Sequence, residues 1–571
     1  MSAPRSASSA RWSLLLVSAS AVWAASILLA SPQPAASTPA QRAASAHAGA
    51  LFTHSDNCVA CHNNLTTPQG EDVSIGASWR STMMANSARD PYWQASVRRE
   101  TIDHAGQSVD IQNECATCHM PMAERTARVE GRKAELFPLL PMSGARESDE
   151  HALAADGVSC TVCHQISSQK LGTPESFNGQ FVLNPARADG MREIFGPFAV
   201  DPGRRRIMRS VTGFEQVEGA HVRQSELCAT CHTLITQALG PDGRVIGSLP
   251  EQMNYQEWRH SAFPTEQKSC QSCHMPAAPG PIRVSSVLGE YRDTLSRHVF
   301  VGGNAFMIRM LNRYRTELGS EASPAEFEAT AQATLRQLSD STATVAIDRV
   351  TATAGAPLSF DVTVTNLTGH KFPTGYPARR TWLHAIVRDR QGRVVFESGA
   401  VDNEGRIAGN DSDRDGSLFE PHYDRIAAAD QVQVYESIMG DIRNVPTTGL
   451  LTATQYLKDN RLLPRGFNKA TADAGIAVHG DAMADATFTG GTDRVTFTID
   501  ALRDGGYEIE VELRYQPIGF RWATNLAGYD APEPKRFVGY YRSLASSSSA
   551  VVAHAGVRLG SDWGQTHRGR R

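Results

Sequence analysis

The ten cysteines of this 571-residue chain form five pairs of one local pattern, C-x-x-C, and a histidine follows each pair directly. We number these motifs one to five in chain order. The two-residue spacing lets one turn of backbone present both sulfurs to a single porphyrin, with which they can form thioethers. The adjacent histidine then lies under the ring, where a neutral imidazole nitrogen can bind iron. The pattern predicts five covalently bound haem c groups.

Other uses of paired cysteines fit the sequence less well. Two such pairs are typical of a zinc site, and one pair beside a βαβ unit is typical of a thiol redox couple, but neither requires a histidine after every pair. A disulfide framework would not repeat one spacing five times. The predicted attachment residues are Cys58, Cys61, Cys115, Cys118, Cys160, Cys163, Cys228, Cys231, Cys270 and Cys273, and the predicted proximal ligands are His62, His119, His164, His232 and His274.

The N-terminus predicts export. Arg5 and Arg11 precede an apolar run from Trp12 to Ala30, so residues 1–30 are interpreted as a signal peptide or an uncleaved N-terminal membrane anchor. Residues 31–46 are rich in Pro, Ala and Ser and are predicted to be a flexible linker. Thioether attachment of haem also belongs outside the cytoplasm, so we expect a periplasmic or extracytoplasmic protein. The net charge of −4 does not suggest nucleic-acid binding.

The composition changes along the chain and predicts a multidomain protein. Residues 47–300 contain every cysteine and few long periodic segments, which predicts a mostly helical and irregular domain packed around its haems. Residues 301–342 predict a helical connector with helices at Ala305–Leu318 and Pro324–Leu338. Ser323 and Glu326 form a capping-box pattern at the start of the second helix.

From residue 343 the hydrophobic period becomes two. The alternation is clearest from Tyr507 to Tyr515, and Asp504–Gly506 predicts the preceding turn. Strands without crossover helices predict an antiparallel β-sandwich, Ig-like, over residues 343–545, with an irregular insertion near 440–485. Residues 546–571 are predicted to be a loosely ordered tail.

The sixth ligand of each iron decides between electron transfer and catalysis at an open face. The region around the motifs offers more candidates than five haems need. They are His47, His54, His104, His151, His221, His260, His298, Met83 and Met84.

Several segments resemble periplasmic multihaem cytochromes related to tetrahaem electron carriers and hydroxylamine oxidoreductase, in a subgroup with a C-terminal β domain. The resemblance rests on HALAADGVSCTVCHQI, HVRQSELCATCHTL, YQEWRHSAF before KSCQSCHMP, SRHVFVGGN and NLTGHKFPTGYPARRTWLH. A W-x-x-S-x-H-A segment often carries a distal histidine in that family; here Thr82 replaces the serine and Met84 the histidine. The resemblance implies distal ligands at His54, Met84, His151, His221 and His298, each serving a haem other than the one attached nearest to it.

Two segments of the β region carry further patterns. Asp411–Gly416 copies the first half of a calcium loop, but position twelve is His422, so calcium is only weakly supported and a solvated acidic turn is favoured. The segment GHKFPTGYPARR collects His370, Lys371, Arg379 and Arg380. Three interpretations stay open for it: pairing with haem propionates, ligation of iron by His370, and a surface loop whose charges meet water.

These patterns favour a periplasmic electron carrier with five haems, most of them held by two protein ligands, that exchanges electrons with redox partner proteins. The alternative is a multihaem oxidoreductase that acts on a small nitrogen or sulfur compound at one open-faced haem. A weaker third interpretation makes the β domain a docking or adhesion module. In no motif does lysine replace histidine, the variant found at the catalytic haem of the related pentahaem nitrite reductases.

The mass of the purified protein tests the cofactor prediction. We expect the chain to carry five haem increments and to show no thiol that reacts with alkylating reagents, because every cysteine is predicted to be a thioether. Free thiols at the motifs, or a mass without the increments, would contradict it.

Overall fold

The computed structural model describes residues 50–142, 148–353, 355–500 and 506–560. The predicted export segment 1–30, the linker 31–46, His47, the first two residues of the predicted turn at Asp504–Gly506 and residues 561–571 of the predicted tail lie outside these ranges. Within them, no helix has the length and apolar character needed to cross a membrane.

Short helices and loops make up most of the N-terminal half, residues 50–300. Helix starts follow local chemistry: the carboxylate of Asp90 accepts hydrogen bonds from the backbone N–H groups of Tyr92 and Trp93, and Pro91 occupies the first turn. Motif residues form or end several of the helices. The helices of this half are α1 Asp56–Val59, α2 Ile75–Trp79, α3 Pro91–Asp103, α4 Ser108–His119, α5 Pro121–Val129, α6 Asp149–Ala155, α7 Cys160–Cys163, α8 Pro202–Thr212, α9 Ser225–Ala229, α10 Asn254–Arg259 and α11 Cys270–His274.

Three small sheets lie between these helices. The pairs are β1 with β2, which is parallel, and β3 with β4 and β5 with β6, which are antiparallel. Their strands are β1 Arg192–Gly196, β2 Phe214–Glu218, β3 Leu234–Leu239, β4 Val245–Gln252, β5 Ala277–Arg283 and β6 Tyr291–Ser296.

The two connector helices are α12 Ala305–Arg313 and α13 Pro324–Ser341. The first begins where predicted and ends earlier, and the predicted capping box of Ser323 and Glu326 is confirmed. Phe306 and Phe327 share a buried cluster with Tyr92 of α3 and with Phe537. The connector therefore packs against helices from both parts of the chain.

The β half, residues 343–560, contains a seven-stranded sheet and a four-stranded sheet. Pairing is antiparallel except for a two-residue parallel pair of β11 with β15. The predicted strand at Tyr507–Tyr515 is confirmed as β16. The strands are β7 Ala343–Thr351, β8 Leu358–Asn366, β9 Arg380–Asp389, β10 Val394–Ser398, β11 Arg425–Ile426, β12 Val434–Gly440, β13 Pro446–Thr447, β14 Gln455–Asp459, β15 Thr492–Ile499, β16 Tyr507–Gln516 and β17 Ala550–Leu559.

Side chains from both sheets meet in one hydrophobic core. Phe360 of β8 and Phe497 of β15 stack with ring centres 5.0 Å apart, and Val511 of β16 lies in the same buried cluster. Strands β15 and β16 bury alternate side chains, as a period of two requires. Helices and several antiparallel sheets thus agree with the predicted fold class, whereas the Ig-like topology stays a prediction.

Helices and one strand occupy positions that the sequence did not indicate. The predicted loose tail is wrong for residues 550–559, which form β17 and pair with β16 along its length. The segment AVVAHAGVRL has few large apolar residues, but the exposed edge of β16 supplies backbone hydrogen-bond partners for it. The remaining helices of the β half are α14 Asp411–Arg414, α15 Phe520–Asn525 and α16 Pro532–Leu544.

Short 3₁₀ helices complete the secondary structure. They are Ser87–Arg89, Ala105–Gln107, Phe137–Leu139, Pro174–Ser176, Ala220–Arg223, Ala474–Ile476, Asp481–Met483, Leu526–Gly528 and Ala545–Ser547.

Candidate functional site

The fold brings the five motifs into one connected group. Thiols of different motifs lie close enough to shift each other's pKa: Cys231 raises the pKa of Cys118, Cys58 raises that of Cys160, and Cys270 raises that of Cys228. Burial, and then the thiol of Cys231, raises the pKa of Cys163 to about 12. Motif four therefore neighbours motifs two, three and five, and motif one neighbours motif three.

None of the ten cysteines forms a disulfide, and Cys273 is the one exposed member. The other nine are half-buried. This exposure fits sulfurs that line a cofactor site.

Four motif histidines are oriented in the same way. In each, the ring nitrogen Nδ1 is hydrogen-bonded to a backbone carbonyl from another segment, so Nδ1 carries the proton and Nε2 keeps its lone pair. The acceptors are Val284 for His62 at 2.7 Å, Ser87 for His119 at 3.1 Å, Phe195 for His164 at 2.6 Å, and Val301 for His274.

Burial lowers the pKa of four of the five motif imidazoles, those of His62, His119, His164 and His232. It lowers the pKa of His119 to about 4 and, with smaller contributions from His274 and Arg379, that of His232 to about 4. Trp93 stacks on the His119 ring at 4.4 Å and fixes its plane. A neutral imidazole with a free Nε2 is the form that binds iron.

Among the predicted distal ligands, His298 lies opposite a motif histidine. Its ring centre is 6.4 Å from that of His164, and the two planes differ by 21°. The Nδ1 of His298 donates to the carbonyl of Ser296 at 3.0 Å, so His298 also retains a free Nε2. His298 and His164 therefore present equivalent nitrogens in one region.

Three other predicted distal histidines contact protein acceptors. The Nε2 of His151 is bonded to the carbonyl of Leu140 and that of His221 to the carbonyl of Ile166, which leaves Nδ1 as the free nitrogen in both. The Nε2 of His54 lies 3.3 Å from a carboxylate oxygen of Asp156, just before motif three. These three rings therefore lie near motifs. None of the contacts described places one of them opposite a motif histidine.

The remaining candidates have varied surroundings. Met84 is half-buried, and its backbone carbonyl accepts from Val158, next to motif three. Met83 packs against the connector cluster. His260 is bonded through Nε2 to the carbonyl of Asn468 of the β half. The Nε2 of His104 is buried and has no hydrogen-bond partner, so His104 remains an alternative candidate for an iron ligand.

The GHKFPTGYPARR segment forms most of the loop between β8 and β9, residues 367–379, and it contacts the N-terminal half. Lys371 is fully buried, with its ammonium 2.7 Å from Asp459. Arg380, at the start of β9, is buried in a two-bond pair with Asp413. The surface-loop interpretation is therefore wrong, and Lys371 and Arg380 are engaged by carboxylates of the chain instead of being free for propionates.

A carboxylate of the N-terminal half anchors this loop. Glu257 of α10 accepts hydrogen bonds from the backbone N–H of Lys371, at 3.1 Å, and from the hydroxyl of Thr374. It also pairs with Arg461, at 3.0 Å, which in turn binds Asp459. Burial acts to raise the pKa of Asp459, but Arg461 and Lys371 outweigh it and hold that pKa below its usual range.

The calcium-loop pattern is not assembled as a cation site. Asp413 pairs with Arg380, and Asp411 pairs with Arg414, so the two carboxylates turn to different partners. Asp413 is also buried, so the favoured interpretation of this turn as solvated is wrong for that residue. Arg380 and Arg414 therefore supply the counter-charges of Asp413 and Asp411.

His422, the residue at position twelve of the calcium pattern, instead lies with Asp485 and Asp493 in a compact group. Gln433 and Asn460 donate amide hydrogens to its Nδ1, so its Nε2 carries the proton and donates to Asp485. Backbone contacts fix both amides in this orientation. A protonated Nε2 cannot bind a cation, so the group is a buried hydrogen-bond network.

The residues around the motifs fit the haems that the sequence predicts. No motif cysteine forms a disulfide, burial lowers the pKa of four motif imidazoles, and backbone carbonyls orient His62, His119, His164 and His274 with Nε2 free. A haem held there would supply one-electron redox chemistry at its iron. Sequence reasoning did not find the carbonyl acceptors, since a backbone carbonyl leaves no mark in a sequence.

No family model matches the chain, and no curated protein matches it. Among solved structures, the crystal structure of a penta-heme cytochrome c552 from Thermochromatium tepidum is similar over 89% of this chain and 100% of that chain. The two are 16% identical, with a TM-score of 0.47. A similarity this weak does not establish a function. The function is therefore inferred from the motifs and their geometry.

The charge network at the loop makes a testable contribution to stability. We expect Asp459→Ala to lower the free energy of unfolding by about 3–5 kcal/mol, because Lys371 and Arg461 lose their buried counter-charge. Glu404→Ala is the matched control: it removes a carboxylate from an exposed pair with Arg406, which is worth less than about 1 kcal/mol. Urea titration followed by far-UV circular dichroism measures both, and equal losses would contradict the assigned role.

Proposed function

We propose that this chain is an exported multihaem c-type cytochrome that transfers electrons along five covalently attached haems. The orientation of the motif histidines carries the proposal: in four motifs a hydrogen bond from Nδ1 to a distant carbonyl leaves Nε2 free to ligate iron. A disulfide framework would not need a separate carbonyl partner for each of these imidazoles.

The distance between His164 and His298 supports two protein ligands on one iron. An imidazole nitrogen lies about 1.1 Å from its ring centre and a metal–imidazole bond is about 2.0 Å long, so rings on opposite faces of one metal have centres about 6.2 Å apart. The centres of His164 and His298 are 6.4 Å apart. An iron with two imidazole ligands is low-spin and has no open position for a substrate, which favours electron transfer.

The proximity of the motifs supports transfer between haems within one chain. Motif four lies beside three other motifs, and motif three links it to motif one. Haems attached at such neighbours would form one connected set instead of isolated centres. The donor and the acceptor would be separate redox proteins of the extracytoplasmic space.

Optical and EPR spectra of the purified protein test the proposal. We expect every haem to be low-spin when oxidised, with spectra unchanged on addition of cyanide, nitrite or hydroxylamine, because two protein ligands leave no vacant face. Cyanide tests whether any haem has an open face that a small molecule can reach, since it binds an open ferric haem whatever the natural substrate is. A high-spin haem that binds these molecules would replace electron transfer with the oxidoreductase interpretation.

A further inference from the structure

His370 of the β half lies opposite His274 of motif five in the same way that His298 lies opposite His164. The ring centres of His370 and His274 are 6.2 Å apart, and their planes differ by 15°. The two histidines are far apart in sequence and belong to different halves of the chain.

Both rings of this pair have a free Nε2. The Nδ1 of His370 donates to the carbonyl of Lys371 at 2.8 Å, and the Nδ1 of His274 donates to the carbonyl of Val301. Because each Nδ1 is used, the lone pair of each ring resides on Nε2, the nitrogen available to a metal.

The ring centres of His370 and His274 are farther apart than those of the parallel ring pairs described outside the two histidine pairs, which are 3.6 to 5.6 Å apart. Parallel rings in contact elsewhere in this protein have centres 3.6 Å apart for Tyr314 and Tyr540, and 4.4 Å apart for Trp93 and His119. At 6.2 Å, the ring centres of His370 and His274 match the separation of about 6.2 Å expected for imidazoles on opposite faces of one metal ion.

The β8–β9 loop is built to hold His370 in place. Gly369 approaches the N-terminal half so closely that a Cβ there would lie 2.8 Å from the ring of Phe263. On the other side, the backbone and side chain of Lys371 are bound by Glu257 and Asp459. A histidine flanked by two such anchors has little freedom to turn away from motif five.

We propose that His370 is the second axial ligand of the iron held by His274, so that the β half completes a haem site of the N-terminal half. This inference rests on the proposed attachment of haem at motif five. Through His370 the β half would set the spin state and the potential of one haem.

The variant His370→Ala tests the proposal. We expect five haems per chain, as in the parent protein, with one of the five changed from low-spin to high-spin and able to bind cyanide. Added imidazole should restore the low-spin spectrum, because it replaces the missing ligand. The control is His554→Ala, which removes an exposed histidine of β17 from the same half and should leave every haem low-spin.

A second variant keeps the proposal testable if His370→Ala does not fold. In His370→Met a thioether can take the place of the imidazole, and we expect one haem potential to rise while four stay unchanged, since methionine ligation raises the potential. Five low-spin haems in folded His370→Ala, or unchanged potentials in His370→Met, would overturn the role of His370 alone. Absence of haem from the parent protein would instead overturn the proposed function.

Discussion

Hydrogen bonds from imidazole nitrogens to distant backbone carbonyls hold four of the five motif histidines, and the remaining features of the site depend on them. A free imidazole exchanges between two tautomers, so its metal-binding nitrogen is undefined until one nitrogen is engaged. The carbonyls come from segments as far as 222 residues away, as for His62 and Val284. The ligand geometry of these four motifs is therefore a property of the tertiary structure.

Two of the three small sheets of the N-terminal half lie at or near the carbonyls that accept from motif histidines. Phe195, which accepts from His164, belongs to β1. Val284 directly follows β5, and Val301 comes shortly after β6. Strand pairing makes the backbone rigid at or near these residues, so carbonyls can be aimed at imidazoles in a region with few long helices.

The buried charges between the halves join the β half to the motifs. Glu257 of α10 binds the loop residue Lys371 and also Arg461, while Asp459 pairs with both cations. Such a network contributes little net stability compared with an apolar contact, but breaking it leaves an unpaired buried charge, so it enforces one docking geometry. A loop that presents a ligand benefits from that specificity more than from added stability.

The sequence by itself determined those features that depend only on residues close together in the chain. The five motifs, the capping box at Ser323 and the alternating strand from Tyr507 are local patterns, and the two structural elements among them were found where predicted. Spacing over a few residues is enough to place two sulfurs and a histidine together, or to turn alternate side chains to one face. Propensity and periodicity act over the same short range.

Only the tertiary structure decided which distant groups meet. His298 and His370 were two of several candidate histidines, and nothing in their flanking residues shows that they face His164 and His274. The pairing of Arg380 with Asp413, and of residues 550–559 with β16, likewise joins segments far apart in the chain. These contacts depend on packing of the whole fold, because a side chain finds its partner through space and not through sequence distance.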